Sequence, residues 1–258
     1  MFRNTYPIFE KKRLLKIQML ENLRDFPREM FQILYQDYCN GIIKGTDFEV
    51  IDDYLIIKPG ILYWNGVPYV MKEELKLSYE ATEKTAYLKV KFLEELQSAE
   101  KQEYLTQVYM DDSPANSLNE IELARFKLQT GARLRNEYTD FYDYNTEFDT
   151  INRIHAPFAA SGKSTIWPEI LKTFAKTLMC YPIKNPWDYS FCLNCIQSNV
   201  GMNKEAITMY LNAHLQKNKD MYLNEEIYMA LKTILQQGTG IINRNNIEPK
   251  MEKKVLLL

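Results

Sequence analysis

Residues Asn40–Glu74 read NGIIKGTDFEVIDDYLIIKPGILYWNGVPYVMKEE. Asn65-Gly66 stands between Ile61–Trp64 and Val67–Val70. That pair suits a type I′ hairpin turn, in which both central residues take positive φ. Pro59-Gly60 lies between two further apolar runs and suits a type II turn. Asp52-Asp53 separates Phe48–Ile51 from Tyr54–Ile57. The stretch therefore predicts about four short strands in a meander. Pro68 lacks an N–H, so its strand belongs at a sheet edge or starts late.

Downstream the β signal continues. Leu75, Leu77 and Tyr79 alternate with polar residues, as do Leu88, Val90 and Phe92. The same holds for Tyr104, Thr106, Val108 and Met110, and for Ala124, Phe126 and Leu128. Strict alternation implies one buried and one wet face, as in an antiparallel sandwich or small barrel of seven or eight strands. Asp111–Asn119 is a loop by composition.

Upstream, residues 8–40 predict a helix pair. Leu14, Leu15, Ile17, Met19, Leu20 and Leu23 recur at helical spacing. Pro27 is expected to divide the pair, with Asp25 as N-cap and Met30, Phe31, Leu34, Tyr35 and Tyr38 on the second helix. Asn40-Gly41 suits its C-cap. The apolar stripe is wide, so the pair should pack on a partner chain or on the sheet that follows.

Residues 131–163 show no clear period and are expected to be an ordered, irregular connector. From Thr165 the pattern is helical, with four helices begun by Pro168, Asn185-Pro186, Asn203 and Asn224, the last ended by Gly238. The expected fold is α+β: helices over 1–40, an antiparallel β domain over 41–130, the connector, an all-α domain over 164–240 and a tail over 241–258. The tail closes on Val255-Leu256-Leu257-Leu258, which should dock on this chain or a neighbour.

The totals narrow the classes of function. Among 258 residues, 32 basic and 34 acidic side chains nearly cancel, which gives no sign of a phosphate-backbone binder. The N-terminal stretch lacks a signal-peptide pattern, no run reaches the ~18 apolar residues of a membrane span, and synthesis in the cytosol is expected. Four Cys are too few for a disulfide framework, while 18 Tyr and 12 Phe suggest extensive partner contacts.

Candidate chemistry is sparse. Ser161-Gly162-Lys163-Ser164 ends like a phosphate-binding loop, but Pro157 stands where the opening Gly is needed. Cys192 and Cys195 form a CxxC with Cys180 and His214 nearby. The second close pair of a zinc site is missing, and both thiols share an apolar helix face. Buried small side chains are the preferred reading. His214 falls on the same kind of face, and His155 has no catalytic companion pattern. No catalytic residue, metal or cofactor is assigned.

Glu137–Asp149, EYTDFYDYNTEFD, interleaves five carboxylates with five aromatics. It lacks the Gly of a calcium loop. An inter-subunit contact is the preferred reading, with aromatic anchors and carboxylates paired across subunits. The interface candidates are Tyr138, Asp140, Phe141, Tyr142, Asp143, Tyr144 and Phe148, with Leu256, Leu257 and Leu258 of the tail.

Gly41-Ile42-Ile43-x-Gly45, Leu55-x-Ile57-x-Pro59-Gly60-Ile61 and Asn65-Gly66-x-x-Tyr69 together resemble a pattern in tail proteins of contractile phages and phage-tail-like bacteriocins. Ala124–Leu128, Tyr138–Asp143, Thr146–Asp149 and Gly162–Thr165 are similar to prophage-encoded tail proteins of Gram-positive bacteria. The resemblance implies a structural component of a contractile tail baseplate, assembled in the bacterial cytoplasm. It implies several symmetric copies that bind neighbouring baseplate and fibre proteins, with no catalytic residues. An alternative is a carbohydrate- or receptor-binding module stacking sugars on Tyr54, Tyr63, Trp64 or Tyr69. A nucleotide hydrolase using Lys163 is a third.

Overall fold

The computed structural model describes residues 3–98, 100–182 and 185–239. The chain is α+β: one long N-terminal helix, antiparallel sheets, an irregular connector and four C-terminal helices. Tail residues Leu256, Leu257 and Leu258 lie outside the described residues.

The first helix is α1, Ile17–Tyr35. Pro27 sits inside it and does not divide it, so the expected pair is a single helix beginning later than expected. A mid-helix Pro removes a hydrogen bond and crowds the preceding turn, at a cost of about 3 kcal/mol. Asn40 does not cap α1, whose C-cap is Gln36. It instead donates from Nδ2 to Asn65 Oδ1 (3.1 Å) and accepts from the Asn65 amide (2.8 Å).

The β region has β1 Gly41–Gly45, β2 Phe48–Ile51, β3 Tyr54–Ile57, β4 Gly60–Trp64, β5 Val67–Met71, β6 Leu75–Ser78, β7 Thr85–Phe92, β8 Leu96–Gln97, β9 Gln102–Glu103, β10 Thr106–Asp111 and β11 Glu120–Lys127. The expected meander is instead split between sheets. β1-β4-β5 form one, β2-β3-β6 a second, β10-β7-β11 a third and β8-β9 a small ribbon. No closed barrel forms among the described residues.

The turns explain the split. Asn65 and Gly66 both take positive φ, 49° and 82°, so β4 and β5 form the expected I′ hairpin. β5 pairs only with β4, which leaves Pro68 on an edge strand. Pro59-Gly60 is not the expected type II turn, because Gly60 opens β4 opposite Gly45. There the chain crosses from the second sheet to the first. A Cβ on Gly60 would come within 2.6 Å of the Thr46 backbone nitrogen.

One apolar core serves all three larger sheets. Ile42, Phe48, Leu55, Ile57, Leu62, Trp64, Leu88, Val90, Phe92, Leu123 and Phe126 meet in it. Alternation along β7 places Leu88, Val90 and Phe92 inward, and β11 adds Leu123 and Phe126 across an irregularity at Glu122–Ala124.

The C-terminal helices are α2 Pro168–Met179, α3 Pro186–Gln197, α4 Lys204–Leu215 and α5 Asn224–Thr239. Asn185 and Asn203 cap α3 and α4 as expected, accepting from the amides of Trp187 and Glu205. Asn224 does other work. Its Nδ2 donates to the carbonyls of Ala156 and Thr165, tying α5 to the connector. Glu226 reaches back to the Leu223 amide (2.8 Å), half of a capping box. Gly238 lies within α5 rather than ending it.

The connector joins the two cores. Leu134, Ile151, Ala156 and Phe158 enter the β core, while Phe141, Tyr144 and Ile154 enter the helical core. Ile42 donates to the Pro157 carbonyl and Ala159 to the Ile42 carbonyl, both at 2.8 Å, so the connector covers the free edge of β1. Gly41 permits that approach: a Cβ there would lie 2.7 Å from both Pro157 O and Ala159 N.

Candidate interaction surface

α1 packs on the body through the aromatic residues of its C-terminal end. Phe31 and Tyr35 stack at 4.4 Å, and together with Tyr38 they pack on Ile43, Tyr63 and Ala159. No residue of α1 is buried. Its apolar side chains Ile17, Leu20, Leu23, Phe26, Met30, Ile33 and Leu34 stay exposed, Ile17 at 75% and Ile33 at 67%.

The main apolar arc of the helix is not turned toward the body. Asp25, Arg28, Glu29 and Gln32 line a groove of about 740 Å³ that α1 makes with Tyr69, Gln102 and Tyr104 of the β region. At 100° per residue, these polar side chains lie opposite the arc of Leu23, Phe26, Met30, Ile33 and Leu34. The polar arc thus borders the groove, itself still open to solvent, and the apolar arc points away from it into solvent. Sequence periodicity identified the stripe, but only the docking of Phe31 and Tyr35 shows which way it points.

Glu137–Asp149, expected to face a neighbouring subunit, turns part of its side chains inward, while Tyr138, Asp140, Tyr142 and Phe148 stay half-buried. Phe141, Asp143 and Tyr144 are buried. Asp140 caps a 3-10 turn over Phe141–Asn145, accepting from the amides of Tyr142 and Asp143. Arg135 holds Asp143 through two bonds of 2.5 and 2.7 Å, and Thr139 and Thr146 also donate to that carboxylate. The Arg135 hydrogen bond is the main reason the Asp143 carboxyl lies far below its usual range. Tyr138 donates to the Ile151 carbonyl at 2.7 Å, and burial raises its phenol pKa. Phe148 lies under the Lys127 ammonium. Asp143 thus pairs within the chain, and the buried rings of Phe141 and Tyr144 serve the helical core rather than a neighbour.

Arg153 was not singled out by the sequence. Its side chain is buried, with the guanidinium 4.5 Å from the Trp167 ring and 4.8 Å from Phe48. It reaches Thr46 Oγ1 at 3.1 Å and Asp47 Oδ1 at 3.4 Å, while Nε has no partner. Burial pushes its pKa down to about 10. This side chain ties connector, β2 and the start of α2 into one unit.

Cys192 and Cys195 are buried in the helical core, as their stripe predicts, and burial pushes the Cys192 thiol up to about 12. A thiol held protonated is a poor nucleophile. His214 Nε2 lies 2.5 Å from Asp188 Oδ1, which also accepts from Tyr210 at 2.8 Å. His155 is half-buried, and burial lowers its pKa. Around Lys163, the Gly162 amide donates to Asp37 O and the Lys163 amide to Ser161 O, so neither points at an anion.

The proposed sugar platform is largely consumed by packing. Tyr63 is buried, and Trp64 stacks on Phe92 at 4.4 Å. Tyr69 packs edge-on against Phe92, and the Lys76 ammonium sits 3.7 Å over Tyr54.

The arrangement defines an α+β protein with a projecting amphipathic helix. No protein-family model matches the chain, and no curated protein matches it by sequence. Among solved structures it is similar to one described as the crystal structure of TssK, with a TM-score of 0.43 and 8% identity over 94% of this chain and 71% of that one. It is also similar to a chain of the type VI secretion system TssK-TssF-TssG baseplate subcomplex, with a TM-score of 0.43 and 8% identity over 92% of this chain and all of that one. No helix among the described residues is long and apolar enough to cross a membrane.

Proposed function

We propose that this chain is a non-catalytic structural component of a contractile-tail baseplate, binding neighbouring baseplate subunits and anchoring receptor-binding fibres. The observation that carries the reading is α1, which docks through Phe31 and Tyr35 and leaves its main apolar arc exposed to water. A contiguous exposed apolar face of this size is a mark of an interaction surface. The resemblance of the Gly41–Tyr69 and Ala124–Thr165 patterns to contractile-tail proteins supplies the kind of assembly.

The test is composition of intact particles. Tail particles are purified from the natural host and from a deletion strain, then examined by mass spectrometry and electron microscopy. The chain is expected in particles at fixed ratio to sheath and tube proteins, and its deletion should give particles lacking baseplate or fibres. Particles of normal form that never contained the chain would overturn the proposal. Particles that contain it, yet keep their fibres when it is deleted, would overturn the anchoring role.

A further inference from the structure

Met19-Leu20, Leu23, Phe26-Pro27, Met30 and Ile33-Leu34 recur along α1 in steps of three and four. Written as a heptad, they fill the a, d and e positions from residue 19 to residue 34. Over these two heptads the stripe is long enough for helices to pack lengthwise on one another. Three apolar positions per heptad make a stripe wider than a two-position coiled-coil seam.

From this we infer that α1 is a self-association element: copies of this chain lay their α1 helices side by side and bury the exposed stripe. The inference deepens the assembly role proposed above by naming the partner as a second copy. Three observations select that occupant.

The area approaches what an interface needs. At half of the ~200 Å² that a large side chain presents, Leu20, Leu23, Phe26, Met30, Ile33 and Leu34 expose about 600 Å² per copy, which with the flanking polar side chains nears the ~800 Å² per partner of a stable interface.

The helix needs a partner. It has no buried residue and carries Pro27. Helical stability in proteins comes mostly from tertiary packing of an amphipathic face, which a neighbouring α1 supplies.

The charge suits protein rather than lipid. Within α1, Glu21, Asp25 and Glu29 outnumber Arg24 and Arg28. A helix that lies on a membrane is rich in Lys and Arg on its polar face.

The test measures the solution mass of the full-length protein by light scattering across a concentration series. One variant carries Leu23→Asp and Met30→Asp together, and a control carries Gln18→Glu on the polar arc. Both apolar sites are exposed, so near-ultraviolet circular dichroism of the monomer should not change. Wild type and control are expected at a multiple of the monomer mass. The double variant is expected to be monomeric, with self-affinity reduced by about 100-fold or more, since two charges then face an apolar seam. A monomeric wild type, or a double variant that keeps the wild-type mass, would overturn the inference. So would flotation of a monomeric wild type with phosphatidylglycerol vesicles, which would assign the stripe to lipid. A monomer that still enters tail particles would defeat this inference and leave the baseplate role standing. An α1-dependent oligomer absent from particles would do the reverse.

Discussion

Phe141 and Tyr228 stack with ring centroids 5.0 Å apart, and the Tyr228 hydroxyl donates to the Phe141 carbonyl at 3.0 Å. The ring of one connector residue and the backbone behind it are both held by α5. This pairing makes the acidic-aromatic run a joint between the sheets and the helices. It leaves α1 as the prominent unpartnered apolar surface among the described residues.

Phe141→Ala should therefore act on stability. Removing a fully buried ring costs about 3–5 kcal/mol through lost transfer energy and the cavity left behind. Chemical denaturation is the measurement. A near-neutral change would mean that the ring does not fill the helical core.

Asp143 carries a pH dependence. Its folded-state pKa is depressed from 3.8 chiefly by Arg135, so its contribution to stability is present above that value and fades as pH falls through the folded-state pKa. The melting temperature should fall with acidification below about pH 4, and Asp143→Asn should flatten that decline while lowering stability at neutral pH. An unchanged acid limb in the variant would exclude the ion pair as its source.

Arg153 separates charge from packing. Its guanidinium is buried with Nε unsatisfied, and its carboxylate partner Asp47 is largely exposed. Replacing a buried charge by an apolar side chain of similar length is often neutral or stabilising. Arg153→Met should change stability by less than about 1.5 kcal/mol. Arg153→Ala should cost about 2–4 kcal/mol, because the space between Phe48 and Trp167 is left empty. Equal losses in both variants would make the charge itself the stabilising element.

Much of the fold was legible where local chemistry decides it. Asn65-Gly66 specifies its turn through positive φ, and Pro186 and Asn203 mark helix starts for backbone reasons contained in a few residues. Sheet membership was not legible. Whether β3 and β4 are neighbours depends on Gly60 passing under Thr46 and on Gly41 accepting the connector, both distant contacts. Pro27 was read as a break because propensity is local, yet the helix continues through it. The internal partners of Glu137–Asp149 were hidden for a related reason. Composition showed aromatics and carboxylates, but it could not show that Arg135 and Tyr228 of the same chain are their partners.

The central claim is that the apolar arc of α1 is a contact surface covered by other copies. Hydrogen–deuterium exchange of amides 17–35, measured on full-length protein at rising concentration, tests it most directly. The account predicts fast exchange in dilute solution, and strong protection appearing over the concentration range in which the mass rises. It also predicts that Leu23→Asp with Met30→Asp abolishes this protection. Exchange in α1 that does not change with concentration, whether fast or slow, would contradict it.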